Sequence, residues 1–232
     1  MKENTILKSA GKKTVCLKDN GWEYLWLALY AFGGLGIELI YGLFLEPAIY
    51  GHGMEAFTTA QSVLHWTITC ITWFFVAFLI YRYALRKLDF DLLKPGKKVT
   101  PLGLLFCLAL IVLITFGNWL DLGTLKVYNE FVKLGLVKFT FQHIYYFAET
   151  MLFTLIIVFG QTAMEKWFHR ENFPFGGIVV GITWGLVHWL TKASLLIGLE
   201  GIVVGFLFGS IYLILGKDVK KTYFALAIAF IL

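Results

Sequence analysis

Long apolar runs with few charges are the feature that most constrains the fold of this chain. A helix of ~20 such residues is long enough to cross the hydrocarbon core of a bilayer. The runs lie at residues 24–44, 57–80, 101–120, 139–159, 173–190 and 195–215, followed by a shorter one at 222–232. This pattern predicts an all-α fold, a polytopic transmembrane helical bundle with six full spans and a short C-terminal seventh.

The composition agrees with a membrane protein. Of the 232 residues, 59% are hydrophobic and 15% are charged, whereas soluble domains are about 45–50% apolar and about 25% charged. The net charge of +5 comes from basic residues in the connections between the runs, so we expect no nucleic-acid partner. The three cysteines are scattered without the spacing of a metal site, which argues against a disulfide scaffold and a cysteine zinc site.

The number of lysines and arginines alternates between high and low from one connection to the next. Sixteen of them lie in the amino-terminal tail and at 82–98, 166–170 and 217–221, and the other four lie in the remaining connections. The positive-inside rule therefore places the amino terminus in the cytoplasm. We expect residues 1–20 to form a cytoplasmic basic tail and residues 21–232 to form one transmembrane domain. The charged segment 121–138 predicts an amphipathic helix along the outer interface.

Several ionisable residues lie within or beside the predicted spans. Each such group costs about 2.5–3.5 kcal/mol to insert into a bilayer, so each requires a partner or a purpose. Glu149 lies near the middle of a span and needs a partner from another helix. Glu165 and His169 share a helix face, which is typical either of a solvated helix end or of half a metal site. His188 is either a structural hydrogen-bonding residue or a metal ligand.

Two further patterns concern packing and burial. Glycines at steps of four recur in two spans, Gly177-Gly181-Gly185 and Gly201-Gly205-Gly209. Such steps let helix backbones approach closely, so we predict tight packing between these spans rather than a duplicated unit. Glu38 and Glu46 share one helix face, and Glu46, next to Pro47, is predicted to be solvated. His65, next to Trp66, is predicted to be an interfacial or buried hydrogen-bonding residue.

Residues 140–232 resemble the CPBP family of CAAX-protease-like and bacteriocin-processing intramembrane metalloproteases. The resemblance rests on Glu165-Lys166-Trp167-Phe168-His169-Arg170, on Trp184-x-x-x-His188 and on the glycine-rich stretch 205–212. These segments are similar to the family's Glu-Glu-x-x-x-Arg motif, Phe-x-x-x-His motif and glycine-rich helix. Lys166 stands where the family has a second glutamate, and the final stretch lacks the terminal His-x-x-x-Asn motif.

The resemblance implies a site and two alternative functions. It implies that Glu165 and His188 are catalytic, that His188, Glu165 and His169 could ligate zinc, and that Arg170, Trp184, Glu149 and Glu200 support them. The enzyme hypothesis is a metal-dependent peptidase of a bacterial membrane, acting on a membrane-inserted, prenylated or bacteriocin-like peptide. The alternative is a non-catalytic relative that binds a peptide, lipid or partner protein, as in bacteriocin self-immunity. Both hypotheses predict that Glu165 and His188 converge inside the bundle, with Glu149 or Glu200 facing the same cavity.

Overall fold

The structure is a computed structural model that describes residues 20–232, apart from the side chains of residues 191 and 192. The predicted tail therefore lies outside the described residues, except for Asn20. Within the described range the chain forms helices and no strand, so the predicted all-α fold is confirmed. The helices are α1 (Gly21–Ile40), α2 (Glu46–Tyr50), α3 (Thr59–Lys87), α4 (Pro101–Leu122), α5 (Lys126–Phe168), α6 (Phe175–Val180), α7 (Leu186–Lys192), α8 (Leu195–Ile214) and α9 (Val219–Ile231).

Two of the boundaries between these helices are π-helical turns rather than loops. Tyr41–Leu45 joins α1 to α2, and Gly181–Gly185 joins α6 to α7. Two of the true breaks are followed by a helix that a side chain caps. Thr58 begins α3 in a capping box with Gln61, and Asp218 caps α9 by accepting from the Lys221 N–H.

Five helical segments of the described chain are long and apolar enough to cross a membrane, which marks a membrane protein. They are Gly21–Tyr50, Thr59–Lys87, Pro101–Leu122, Lys126–Phe168 and Leu195–Ile214. The fifth predicted span, 173–190, corresponds to a shorter apolar helix, Phe175–Leu190, and the predicted short seventh corresponds to α9, which has 13 residues. The count of six full spans stays a prediction.

Helix α5 is the centre of the bundle. In its most apolar stretch, 78% of the residues are buried, and α1, α3, α6 and α9 pack around it. Gly135, with φ 69° and ψ 168°, interrupts the helical backbone. Lys126 Nζ lies 4.4 Å from the Tyr146 ring, although twenty residues of continuous helix would separate them by about 30 Å. The segment 126–134 therefore folds back on α5, a turn that the sequence analysis did not predict.

Glycine contacts hold α8 against the helices before it. A Cβ added at Gly205 would lie 2.7 Å from the Gly181 Cα, and one at Gly185 would lie 2.5 Å from the Gly201 carbonyl carbon. These neighbours are backbone atoms, which cannot swing aside as a flexible side chain can. The predicted tight packing between the two glycine-stepped spans is confirmed.

The connections meet at two ends of the bundle. At the basic end, the Lys97 N–H donates to the Gly216 carbonyl at 2.8 Å, and Gly21 lies against Trp167 of α5. The opposite end contains the α2–α3 connection and the turn at Gly135. Segments 82–98, 166–170 and 217–221 all lie at the basic end, as their shared charge predicts.

Candidate functional site

Glu165 lies in the last turn of α5, at the basic end. Its Oε1 accepts a hydrogen bond from Gln161 Nε2 at 2.6 Å and forms an ion pair with Lys217 Nζ at 2.6 Å. Gln161 is itself fixed, because its Oε1 accepts from the buried Gly176 N–H at 2.8 Å. Glu165 therefore connects α5 to the turn before α9, which is a structural arrangement.

His188 belongs to a different cluster, on α7. Its Nδ1 lies 2.8 Å from the Trp184 carbonyl oxygen, and its ring lies 4.6 Å from the Trp184 ring. Trp184 Nε1 in turn donates to Glu149 Oε1 on α5 at 2.8 Å. The prediction that Glu149 needs a partner from another helix is confirmed, and that partner is the aromatic residue of the Trp184-x-x-x-His188 segment.

The predicted convergence of Glu165 and His188 is wrong. Glu149 and Glu165 are sixteen residues apart on α5, which is about 24 Å along the helix axis. His188 packs on Trp184 beside Glu149. The reason is that α6 begins beside an interior turn of α5 and not beside its C-terminal end. Its residue Gly176 already lies against Ile157, so the following helix carries His188 still farther from the basic end.

The remaining predicted site residues do not complete a metal site. His169 and Arg170 are exposed, and His169 ends α5 with φ 53°. Glu200 is half-buried on α8. Within residues 20–232, side chains of 191 and 192 aside, no three His, Cys, Asp or Glu side chains are grouped so as to hold a metal ion. Because catalytic zinc normally has three protein ligands, the described residues do not fit one.

The structure shows a second buried polar cluster, which we call the Glu38–His65–Glu46 cluster. His65 Nδ1 lies 2.7 Å from Glu46 Oε2, and its Nε2 lies 3.4 Å from Glu38 Oε1. The hydroxyl of Tyr145, on α5, donates to Glu38 Oε2 at 2.7 Å. His65 is 2% exposed and Glu46 is 5% exposed. His65 is thus a buried hydrogen-bonding residue, one of its two predicted states.

The predicted solvation of Glu46 is wrong, and the π-helical turn Tyr41–Leu45 is the reason. In a regular α-helix, positions seven apart lie closer to one face than positions eight apart. A π-helical turn accommodates one extra residue, so Glu46 takes the direction of the seventh residue after Glu38. Both carboxylates therefore face His65. No sequence pattern predicts this turn, although Glu38 is an ionisable residue within a predicted span.

The segment that folds back at Gly135 forms a third polar contact. Lys126 Nζ donates to the Phe230 carbonyl oxygen at 2.7 Å and lies 4.2 Å from the Phe230 ring. The Tyr146 hydroxyl donates to Glu130 Oε1 at 2.6 Å. These contacts tie the end of α9 to α5 and close this side of the bundle.

An apolar groove lies between α3, α5 and α9, with a volume of ≈ 450 Å³. Aromatic and aliphatic side chains form most of its wall, and Lys220 of α9 supplies its positive charge. Lys220 is exposed and follows the turn at the basic end. The lining residues are Phe74, Ala77, Phe78, Tyr81, Leu92, Leu93, Met151, Thr154, Leu155, Val219, Lys220, Tyr223 and Phe224.

Asp218 fixes the start of α9 beside this groove. Its carboxylate accepts from the Gly96 N–H at 3.2 Å and the Lys221 N–H at 3.0 Å, and Lys221 Nζ lies 3.1 Å away. Burial by itself raises the pKa of Asp218. The hydrogen bonds from Lys221 and Gly96 and the Lys221 charge outweigh burial, so this pKa lies below its ordinary value.

No family of known sequences, no curated protein and no solved structure matches this chain. The resemblance to the CPBP family therefore stays a prediction.

Proposed function

We propose that this chain is a non-catalytic membrane binding protein, a degenerate relative of CPBP-like proteins, that holds the acyl chain of an acidic phospholipid. The groove between α3, α5 and α9 carries this proposal. Its volume of ≈ 450 Å³ falls within the range of about 300–1,000 Å³ that is typical of small-molecule sites. Its apolar wall suits an acyl chain, because such a wall offers few partners to a polar ligand.

The charge at the groove supports an acidic lipid. Lys220 is exposed at the basic end, where the groove is bounded by the start of α9. We place this end in the cytoplasm of a bacterial cell with a multi-pass topology, as the positive-inside rule favours. Basic pockets between transmembrane helices on the cytoplasmic side bind anionic headgroups, at about 1 kcal/mol per Lys or Arg near the surface.

The arrangement of Glu165 supports a non-catalytic role. A general base must reach the proton that it abstracts, directly or through one water molecule. The Glu165 carboxylate instead pairs with Lys217. It lies about 24 Å along α5 from Glu149, whose partner Trp184 packs on His188. Hydrolysis by this pair would need a rearrangement of the central helix.

Photo-crosslinking in vesicles tests the lipid proposal. We expect an acidic phospholipid with a photoreactive acyl chain to label the purified protein more strongly than a zwitterionic lipid with the same chain. Lys220→Gln should reduce this preference, while Lys98→Gln, at an exposed lysine of the same end, should preserve it. Equal labelling of the wild type by both lipids would contradict an acidic ligand.

A second variant pair tests the groove itself. Met151 lines the groove on α5, so Met151→Trp should fill part of it and reduce labelling by the acidic lipid. Leu105 is 62% exposed on α4 and lies outside the groove, so Leu105→Trp is the matched control. The groove could instead hold a peptide that neither lipid displaces. Labelling by the acidic lipid would then be the same in the wild type, Met151→Trp and Leu105→Trp.

One observation favours the peptidase as a second candidate. The structure places a carboxylate, Glu149, against the Trp184-x-x-x-His188 segment, so Glu149 could take the part that the resemblance gives to Glu165. Stoichiometric zinc in the purified protein, lost in both Glu149→Gln and His188→Ala, would support it. If the protein is purified in the absence of chelators and contains no zinc, that result would argue against this candidate.

A further inference from the structure

The charges of the Glu38–His65–Glu46 cluster do not sum to zero. Both His65 ring nitrogens lie within hydrogen-bonding distance of a carboxylate oxygen, and each of these contacts requires a hydrogen. Two protons on the three side chains give either an imidazolium with two carboxylates or a neutral imidazole with one protonated carboxyl. In both states the cluster carries one negative charge.

That charge lies in helices that are long and apolar enough to cross a membrane. Glu46 and His65 are 5% and 2% exposed, and they belong to segments apolar enough to cross a bilayer. A buried charge without compensation is costly. Within the part of the chain that the structure describes, no Lys or Arg forms an ion pair with Glu38 or Glu46. One further positive charge would make the cluster neutral.

A hydroxyl group on the same helix face gives an independent indication of a ligand. Thr69 is 0% exposed, and among the described residues its Oγ1 has no hydrogen-bond partner. Thr69 follows His65 by four residues on α3, so its side chain lies on the face of His65, one turn along. Buried hydroxyl groups are usually satisfied, and a bound ion or an ordered water molecule would satisfy this one.

We propose that the Glu38–His65–Glu46 cluster, together with Thr69, is a binding site for one monovalent cation, either a proton or Na⁺. A proton from water would add to a carboxylate oxygen of Glu38 or Glu46. Sodium would instead bind to an oxygen of one of these carboxylates, because hard cations prefer oxygen ligands. Both ligands deliver the single positive charge that the cluster lacks. This site is independent of the groove between α3, α5 and α9.

Other titratable groups lie near the cluster, and they are the same in the wild type and in its variants, so they contribute equally to the pH dependence of each protein. Tyr145 of α5 donates to Glu38, and Glu149 lies one turn farther along α5. Tyr41 bonds to Thr72, and the His52 ring packs on Phe57, which in turn contacts the His65 ring. The groups to be considered are Tyr41, His52, Cys70, Tyr145 and Glu149.

Thermal unfolding of the purified full-length protein in detergent tests the proposal. The midpoint is measured from pH 6 to pH 9 in choline chloride and in NaCl of equal ionic strength. A proton bound only by the folded protein makes the midpoint fall as pH rises, by up to about 4 °C per pH unit. If Na⁺ is the ligand, NaCl raises the midpoint at pH 9 relative to choline chloride. If the proton is the ligand, NaCl and choline chloride give the same midpoint.

Glu46→Gln removes one negative charge and keeps an oxygen that accepts from His65. We expect this variant to lose most of the wild-type dependence on pH or Na⁺. Glu55→Gln, an exposed carboxylate in the α2–α3 connection, should retain it. A wild type that responds to neither pH nor Na⁺, or a Glu46→Gln variant that responds as the wild type does, would overturn the proposal.

Infrared spectroscopy of the wild type provides a measurement that does not depend on the variant folding. Uptake of a proton by the cluster should add an absorption band of a protonated buried carboxyl between pH 9 and pH 6. Binding of Na⁺ should instead shift the carboxylate bands when NaCl replaces choline chloride. Identical spectra under all these conditions would also overturn the proposal.

Discussion

Replacing Gly205 by alanine should destabilise the bundle through a contact between two backbones. The new Cβ would lie 2.7 Å from both the Cα and the N of Gly181. Overpacking of this kind typically costs about 1–3 kcal/mol. Alanine is also the better helix former by about 1 kcal/mol, and this gain partly hides the cost when the variant is compared with the wild type.

Gly33→Ala separates the two effects. Gly33 lies in α1, and a Cβ added there would have no neighbour within 4 Å. Both variants gain the same helix propensity, so their difference is the overpacking cost of about 1–3 kcal/mol. At about 3 °C per kcal/mol, the midpoint of Gly205→Ala should lie roughly 3–9 °C below that of Gly33→Ala.

The assay is thermal unfolding in one detergent at one protein concentration, followed by the intrinsic tryptophan fluorescence. Equal midpoints for the two variants would refute the reasoning, because they would mean that α8 can move away from Gly181 at no cost. The larger change Gly205→Leu should prevent recovery of folded protein, as should Gly181→Leu.

Three further predictions concern topology, pH and the predicted catalytic pair. With the three native cysteines replaced, a cysteine at Gly53 should react with an impermeant thiol reagent in intact cells and one at Lys97 should not; the reverse labelling would contradict the orientation. Asp218→Asn should lower the unfolding free energy at pH 7, because it removes the carboxylate charge that pairs with Lys221. Because the folded-state pKa of Asp218 is lowered, this stabilisation is present above the ordinary value of 3.8 and is lost as pH falls through the folded value, so variant and wild-type midpoints should converge once the pH is below that folded value. Glu165→Gln and His188→Ala should have additive effects on stability within about 0.5 kcal/mol, and a double-mutant cycle showing coupling above about 1 kcal/mol would mean that the two side chains communicate.

The separation of Glu165 and His188 shows where inference from the sequence failed. The spacing of the motif residues says how far each lies from a turn, but not at what depth the next helix begins. Helix α6 begins beside Ile157 because Gly176 allows close contact with α5 there, and Gly177 and Gly209 allow close contact between α6 and α8. A difference of eleven residues between Ile157 and Phe168 is about 16 Å of depth, which is enough to put the two predicted catalytic residues in different parts of the protein.

What the sequence determined by itself is the fold class, the grouping of the basic connections and the contact between the glycine-stepped helices. These follow from local properties, since span length, charge and the absence of a Cβ act wherever the residue lies. The partners of the buried polar groups depended on tertiary structure, because they are set by helix phase and depth. One π-helical turn directs Glu46 at His65, and one left-handed glycine returns Lys126 to Tyr146. A change of about 100° in phase or one turn in depth changes every contact across a helix interface, and only the packed bundle fixes either.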